Sequence, residues 1–121
     1  MVDLPKVDGA GTSPAANIAN LVVGLFSEYT GRGPTRARAY LQDDVVTVVL
    51  KETLTKAERS LVDHGRSEQV LQMRLAFQQT MREDLTRGVE KILDRKVHAF
   101  LSANHLEPDI AVETFLLEPR S

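Results

Sequence analysis

The chain of 121 residues carries 15 Lys and Arg against 17 Asp and Glu, a net charge of −2 that lacks the global basic field of a nucleic-acid binder. It holds no cysteine, which rules out disulfides, thiolate metal ligands and a cysteine nucleophile. Its longest apolar run, residues 21–26, is far short of the roughly 20 residues of a membrane span, so no direct insertion is expected, and a leader pattern is missing from the first residues, where Asp3, Pro5, Lys6 and Asp8 stand. A soluble, cytoplasmic protein is the expectation.

Residues 1–12 contain Pro5, Gly9 and Gly11 among few apolar side chains and read as a flexible tail, leaving residues 13–121 as a single domain. Ser13-Pro14 announces the first helix, the serine as cap and the proline at a position where its missing N–H costs nothing. Ile18, Leu21, Val22, Leu25 and Tyr29 then recur at helical spacing. Gly24 within this run is either a liability or a point of close packing.

The helix ends in an elbow, residues 28–38, reading EYTGRGPTRAR. Gly31 stands where helices close with a left-handed residue, and Gly33-Pro34 forbids resumption. Arg32, Arg36 and Arg38 concentrate positive charge within a stretch free of Asp and Glu, and guanidinium forks suit phosphates and carboxylates. They are candidate ligand-binding residues. The elbow follows a helix C-terminus, the negative end of its dipole, so any anion there relies on side chains alone, and a structural turn with solvated arginines is the simpler reading.

Two runs of period two, residues 36–42 and 45–50, meet at Asp43-Asp44 and read as a hairpin. A two-residue turn there sets Leu41 opposite Val46, Ala39 opposite Val48 and Ala37 opposite Leu50 on one buried face. Thr55 and Glu58 have the spacing of a capping box and open a short helix that Gly65 ends. Ser67 is placed as the cap of a long helix running to about Leu93, with Val70, Met73, Phe77, Met81, Leu85, Val89 and Ile92 on its apolar arc. Arg74 and Gln78 also fall inside that arc. A buried guanidinium requires a partner, and Glu58 or Glu28 is the expected one.

Residues 96–103 and 109–117 supply two more strands, joined by 104–108. Val97, Ala99 and Leu101 are assigned with Ile110, Val112 and Leu116 to the core face. His98, Phe100 and Ser102 with Glu113, Phe115 and Leu117 are assigned to a second face. The predicted fold is α+β: a four-stranded, mainly antiparallel sheet of two hairpins with helices on one face, in the order α-β-β-α-α-β-β. The second face, which includes Arg38, Tyr40, Phe100 and Phe115, is too apolar for water and is expected to be covered by another copy in a homodimer or higher oligomer, Tyr40, Phe100 and Phe115 being the interface candidates.

The segments EYTGRGPTRAR, LTKAE, RLAFQ and FLLE together resemble the MpsC-like family of small bacterial proteins from sodium-translocating, membrane-potential-generating systems. The resemblance implies a soluble accessory or regulatory role beside an ion or bicarbonate transport system, with a membrane transport protein as a possible partner and a location peripheral to the inner face of the membrane. It marks Gly31, Arg32, Gly33, Pro34, Glu58 and Arg74 as motif members and carries over no catalytic residue. His64, His98 and His105 lie on different elements without metal spacing, so neither a metal nor another cofactor is expected. No nucleophile elbow or His-paired nucleophile is visible, and a non-enzymatic protein is the leading reading. The alternative is a small-molecule sensor that binds an anion or nucleotide at the arginine elbow.

Overall fold

The computed structural model describes residues 13–120. The expected tail over 1–12 therefore lies outside the described residues. The elements are α1 (Pro14–Thr30), β1 (Arg36–Gln42), β2 (Val45–Lys51), α2 (Lys56–Asp63), α3 (Ser67–Leu93), β3 (Val97–His105) and β4 (Ile110–Leu117). This is an α+β fold with the expected order α-β-β-α-α-β-β.

Helix α1 begins as its sequence dictates. The Ser13 hydroxyl accepts the Ala16 N–H at 3.1 Å, and Pro14 occupies the first helical position. Gly31 closes the helix at φ 79°, a left-handed conformation that costs glycine nothing, and its N–H donates to the Ser27 carbonyl at 2.9 Å. Gly24 is exposed, with no neighbour within 4 Å of where a Cβ would stand, so it is not a packing point. The close approach falls at Gly88 instead, where an added Cβ would run into the Leu21 side chain. That glycine lets α1 and α3 cross tightly.

The β1–β2 hairpin has the expected register, with Leu41 opposite Val46, Ala39 opposite Val48 and Ala37 opposite Leu50. Asp43 turns the chain at φ 53°, a region that aspartate tolerates better than most residues. Arg95, just past α3, holds this turn. Its guanidinium donates to the Asp43 carbonyl at 3.0 Å, to the Asp44 carboxylate at 2.5 Å and to the Glu118 carbonyl at 3.0 Å.

Thr55 and Glu58 form the expected capping box, each side chain accepting the other's backbone N–H at 3.1 and 2.8 Å. The start of α3 differs from expectation. Ser67 is its first helical residue, and Arg66 takes the cap position without a side-chain bond.

The strands are antiparallel and lie in the order β1-β2-β4-β3, so the last strand is inserted between β2 and β3. Val46, Val48 and Leu50 of β2 pair with Phe115, Glu113 and Ala111 of β4 on the face that α1 and α3 cover. Ile18, Val22 and Phe26 from α1 and Met81, Leu85 and Val89 from α3 complete the core, all at 1 % exposure or less.

This pairing reverses the faces expected for the second hairpin. Phe100 and Phe115 stand on the helix-covered side with ring centroids 5.0 Å apart, and Phe115 is fully buried within its own chain. Of the three interface candidates, only Tyr40 points to the uncovered side. Both alternations of β4 carry large apolar residues, and in β3 the more apolar alternation, Val97, Ala99, Leu101 and Ala103, is not the one that faces in beyond Val97, so period alone does not select the inner face. The selection comes from the register of β4 against β2 and from an irregularity between Val97 and Ala99, which turns Ala99 and Leu101 outward while Val97 stays in.

Candidate functional site

Two features outside the apolar core gather chemistry-bearing side chains. One is a buried polar cluster where α2, α3, β3 and β4 meet, and the other is the sheet face that no helix among the described residues covers.

The cluster grows from Arg74, which is 3 % exposed. Helical spacing carries its side chain inward one turn before Gln78, and its three guanidinium nitrogens each find an acceptor. Nη1 donates to Glu58 Oε1 at 3.0 Å, Nη2 to Thr53 Oγ1 at 2.7 Å, and Nε to Asn104 Oδ1 at 3.2 Å. The expected Arg74 partner is therefore Glu58, not Glu28. The Thr53 hydroxyl donates to Asp109 Oδ1 at 2.9 Å, and the other Asp109 oxygen accepts the Leu54 N–H at 2.8 Å. On the other side the amides of Asn104 and Gln78 bond reciprocally at 2.7 and 3.0 Å, and Gln78 Nε2 reaches Glu113 Oε2 at 2.8 Å. Ser102 Oγ donates to the remaining Glu113 oxygen.

A continuous chain of hydrogen bonds thus runs from Asp109 to Glu113. Among the described residues no buried side-chain polar atom is left without a partner. Burial pushes the Glu113 carboxyl up to about 7, and the bonds from Ser102 and Gln78, with the more distant Arg74 charge, only partly oppose that rise. A narrow cleft of about 130 Å³ beside it is lined by Leu75, Gln78, Gln79, Arg82, Phe100 and Ser102.

Of these residues, sequence reasoning singled out Glu58 and Arg74 and noted that Gln78 points inward. Thr53, Asn104, Asp109 and Glu113 escaped it. The available signal was an arginine and a glutamine one turn apart inside an apolar arc, which demands several polar partners and so points to a cluster instead of a single ion pair.

The elbow arginines separate. Arg32 donates from Nη2 to the Glu52 carbonyl at 3.4 Å. Arg36 and Arg38 project from the uncovered face of the edge strand β1, opposite Lys51 and Val49. Pro34 is buried, Gly31 ends α1, and Gly33 lies against Val23 and Ser27, so these three motif members shape the turn.

The uncovered face follows from the register as four rows across β1, β2, β4 and β3. The first holds Arg36, Lys51, Ile110 and His105, and the second Arg38, Val49, Val112 and Ala103. The third holds Tyr40, Thr47, Thr114 and Leu101, and the fourth Gln42, Val45, Leu116 and Ala99. No acidic residue stands at any of these positions. Tyr40 is 53 % and Leu101 56 % exposed, and Val45 is 40 % exposed. The middle of the face, Val49, Val112, Thr47 and Thr114, is uncharged, and the cations Arg36, Lys51 and Arg38 gather at one corner.

Residues 12–119 match the family model described as Na+-translocating membrane potential-generating system (MpsC). The chain belongs to the MpsC family. No curated protein and no solved structure matches it. In this MpsC-family chain both the GRGP elbow and the Glu58–Arg74 pair lie within the matched region. No helix among the described residues is long and apolar enough to cross a membrane. Whatever the MpsC fold contributes to a membrane-potential system, these helices do not contribute it by spanning the bilayer.

Proposed function

We propose that this MpsC-family protein is a non-enzymatic accessory component of a sodium-translocating, membrane-potential-generating system, acting in the cytoplasm at the inner face of the membrane as a self-associated assembly. One observation carries the reading: a four-stranded sheet presents an apolar, acid-free face to the outside of a chain whose other sheet face is already covered. At strand spacings of about 4.8 Å and rises of about 3.3 Å per residue the face measures roughly 20 by 23 Å, the scale of a small protein–protein interface. A centre depleted of charge with polar groups at the rim is the composition such interfaces show. A second copy supplies a matching surface of this kind without any further protein. The non-enzymatic part of the reading is supported by the buried cluster, whose polar groups are all engaged with one another.

Light scattering on the purified chain at micromolar concentration tests the assembly. A dimeric or larger mass that Val112→Asp reduces to a monomer of unchanged circular dichroism is the expected result, and a monomeric parent chain removes the reading. Cells carrying only the Val112→Asp form are expected to lose sodium-dependent membrane potential, which ties the assembly to the system.

A further inference from the structure

The cationic corner of the uncovered face has a feature that the self-association reading leaves unused. Arg36 and Lys51 are register partners on adjacent strands, with both side chains on the same face. The sheet therefore holds two like charges with their Cβ atoms about 5 Å apart, an arrangement that is unfavourable unless something neutralises it. Among the described residues neither has a carboxylate within salt-bridge distance. The two acids beside them keep their charge but turn their oxygens to other donors. Glu52 accepts from the Thr35 hydroxyl, and both oxygens of Asp109 accept from the Thr53 hydroxyl and the Leu54 N–H. Arg36 and Lys51 line an open depression of about 520 Å³, together with Arg59, the carboxylates of Glu52 and Asp109, and the apolar surface of Pro108 and Ile110, so three cations face two acids there.

We infer that this depression binds a phosphoryl group carrying two negative charges. The guanidinium of Arg36 offers a planar fork to two phosphoryl oxygens, and the Lys51 ammonium adds a compact charge to the third. Arg59 borders the site, held 3.6 Å from Asp109 and 3.5 Å from Glu107, and Arg38 stands one row away on the same strand face. Arg32 does not line the depression, and its guanidinium donates to the Glu52 carbonyl. The anion site thus takes Arg36 from the elbow and joins it to Lys51 of β2 on the sheet corner. It sits in the first row at the end of the face, within the area counted for self-association, and phosphate titration of the monomeric Val112→Asp form separates the two readings.

Isothermal titration with inorganic phosphate and with pyrophosphate, and sedimentation with phosphatidylcholine vesicles with and without phosphatidic acid, test the inference and separate a free phosphate from a lipid headgroup. The comparison is the Arg36→Gln/Lys51→Gln double variant against Lys91→Gln, an exposed charge on α3, each checked for folding by circular dichroism. Saturable binding of either probe, weakened about tenfold or more in the double variant and unchanged in Lys91→Gln, is the expected result. Binding in solution identifies a free phosphate, and binding confined to phosphatidic acid vesicles identifies a headgroup. No saturable binding of any probe, or equal weakening by Lys91→Gln and the double variant, overturns it.

Discussion

The guanidinium of Arg74 lies 3.0 Å from the carboxylate of Glu58, joining α3 to the capping box that starts α2, with both side chains at 4 % exposure or less. Glu58 holds two roles at once, because the same Oε1 that meets Arg74 also accepts the Thr55 N–H. Arg74→Leu strands a buried carboxylate and is expected to cost about 3–5 kcal/mol in urea unfolding. Glu58→Gln keeps an acceptor for Thr55 while removing the charge, so the double variant Glu58→Gln/Arg74→Leu should recover much of that loss. A double variant no more stable than Arg74→Leu alone would show that Thr53 and Asn104, not the ion pair, need the arginine.

Glu113 makes stability depend on pH in a direction opposite to that of a surface salt bridge. Its folded value near 7 lies above the ordinary 4.5, so the native state holds a proton that the unfolded chain has already released. Its contribution is therefore complete below about pH 4.5, falls as pH rises from there to about 7, and is flat above. Glu113→Gln removes this slope. The stability difference, parent minus variant, is expected to decline by up to about 3 kcal/mol over that window, as followed by chemical denaturation at several pH values. A difference that stays constant with pH would place the carboxyl in an ionised, well-solvated state.

Two glycines, one inside α1 and one at its C-cap, should respond with opposite signs to the same change. Gly24 has open space around it and an ordinary helical backbone, so Gly24→Ala is expected to stabilise by about 0.5–1 kcal/mol. Gly31 sits at φ 79°, where a Cβ crowds the following carbonyl, so Gly31→Ala is expected to destabilise by about 1–2 kcal/mol. Thermal melts of the two single variants check both.

Tyr40 and Phe115 separate the chain's own core from its outer face. Phe115→Ala is expected to cost about 3–5 kcal/mol of folding stability, since it opens a cavity at full burial against Phe100. Tyr40→Ala should leave folding within about 0.5 kcal/mol and weaken association instead. Denaturation and light scattering on the same two proteins give both numbers.

The sequence was most legible where a local signal has only one structural meaning. Ser13-Pro14, Gly31, the Thr55–Glu58 box and the two-residue turn at Asp43-Asp44 each satisfy backbone groups within a few residues, and each is found where its chemistry put it. The phase of the second hairpin was not legible. Ile110 to Leu117 carries large apolar residues on both alternations, the more apolar alternation of β3 turns outward, and the inner face is chosen by the contacts of β4 with β2, far earlier in the chain. The polar cluster was half legible for the same reason: Arg74 and Gln78 announce themselves by helical phase, whereas Asn104, Asp109 and Glu113 acquire meaning only once β4 is paired.

The insertion of β4 between β2 and β3 also bears on how the molecule is made. A ribosome delivers β3 before the only strand it pairs with exists, and β2 waits with one edge bare through all of α2 and α3. A nascent chain stopped short of residue 110 holds neither Phe115 nor Glu113, so its helices have half a sheet to close upon. Acquisition of the native state is consequently tied to emergence of the final strand, and premature termination anywhere upstream leaves sticky, unpaired ribbons for the cell's quality control to clear.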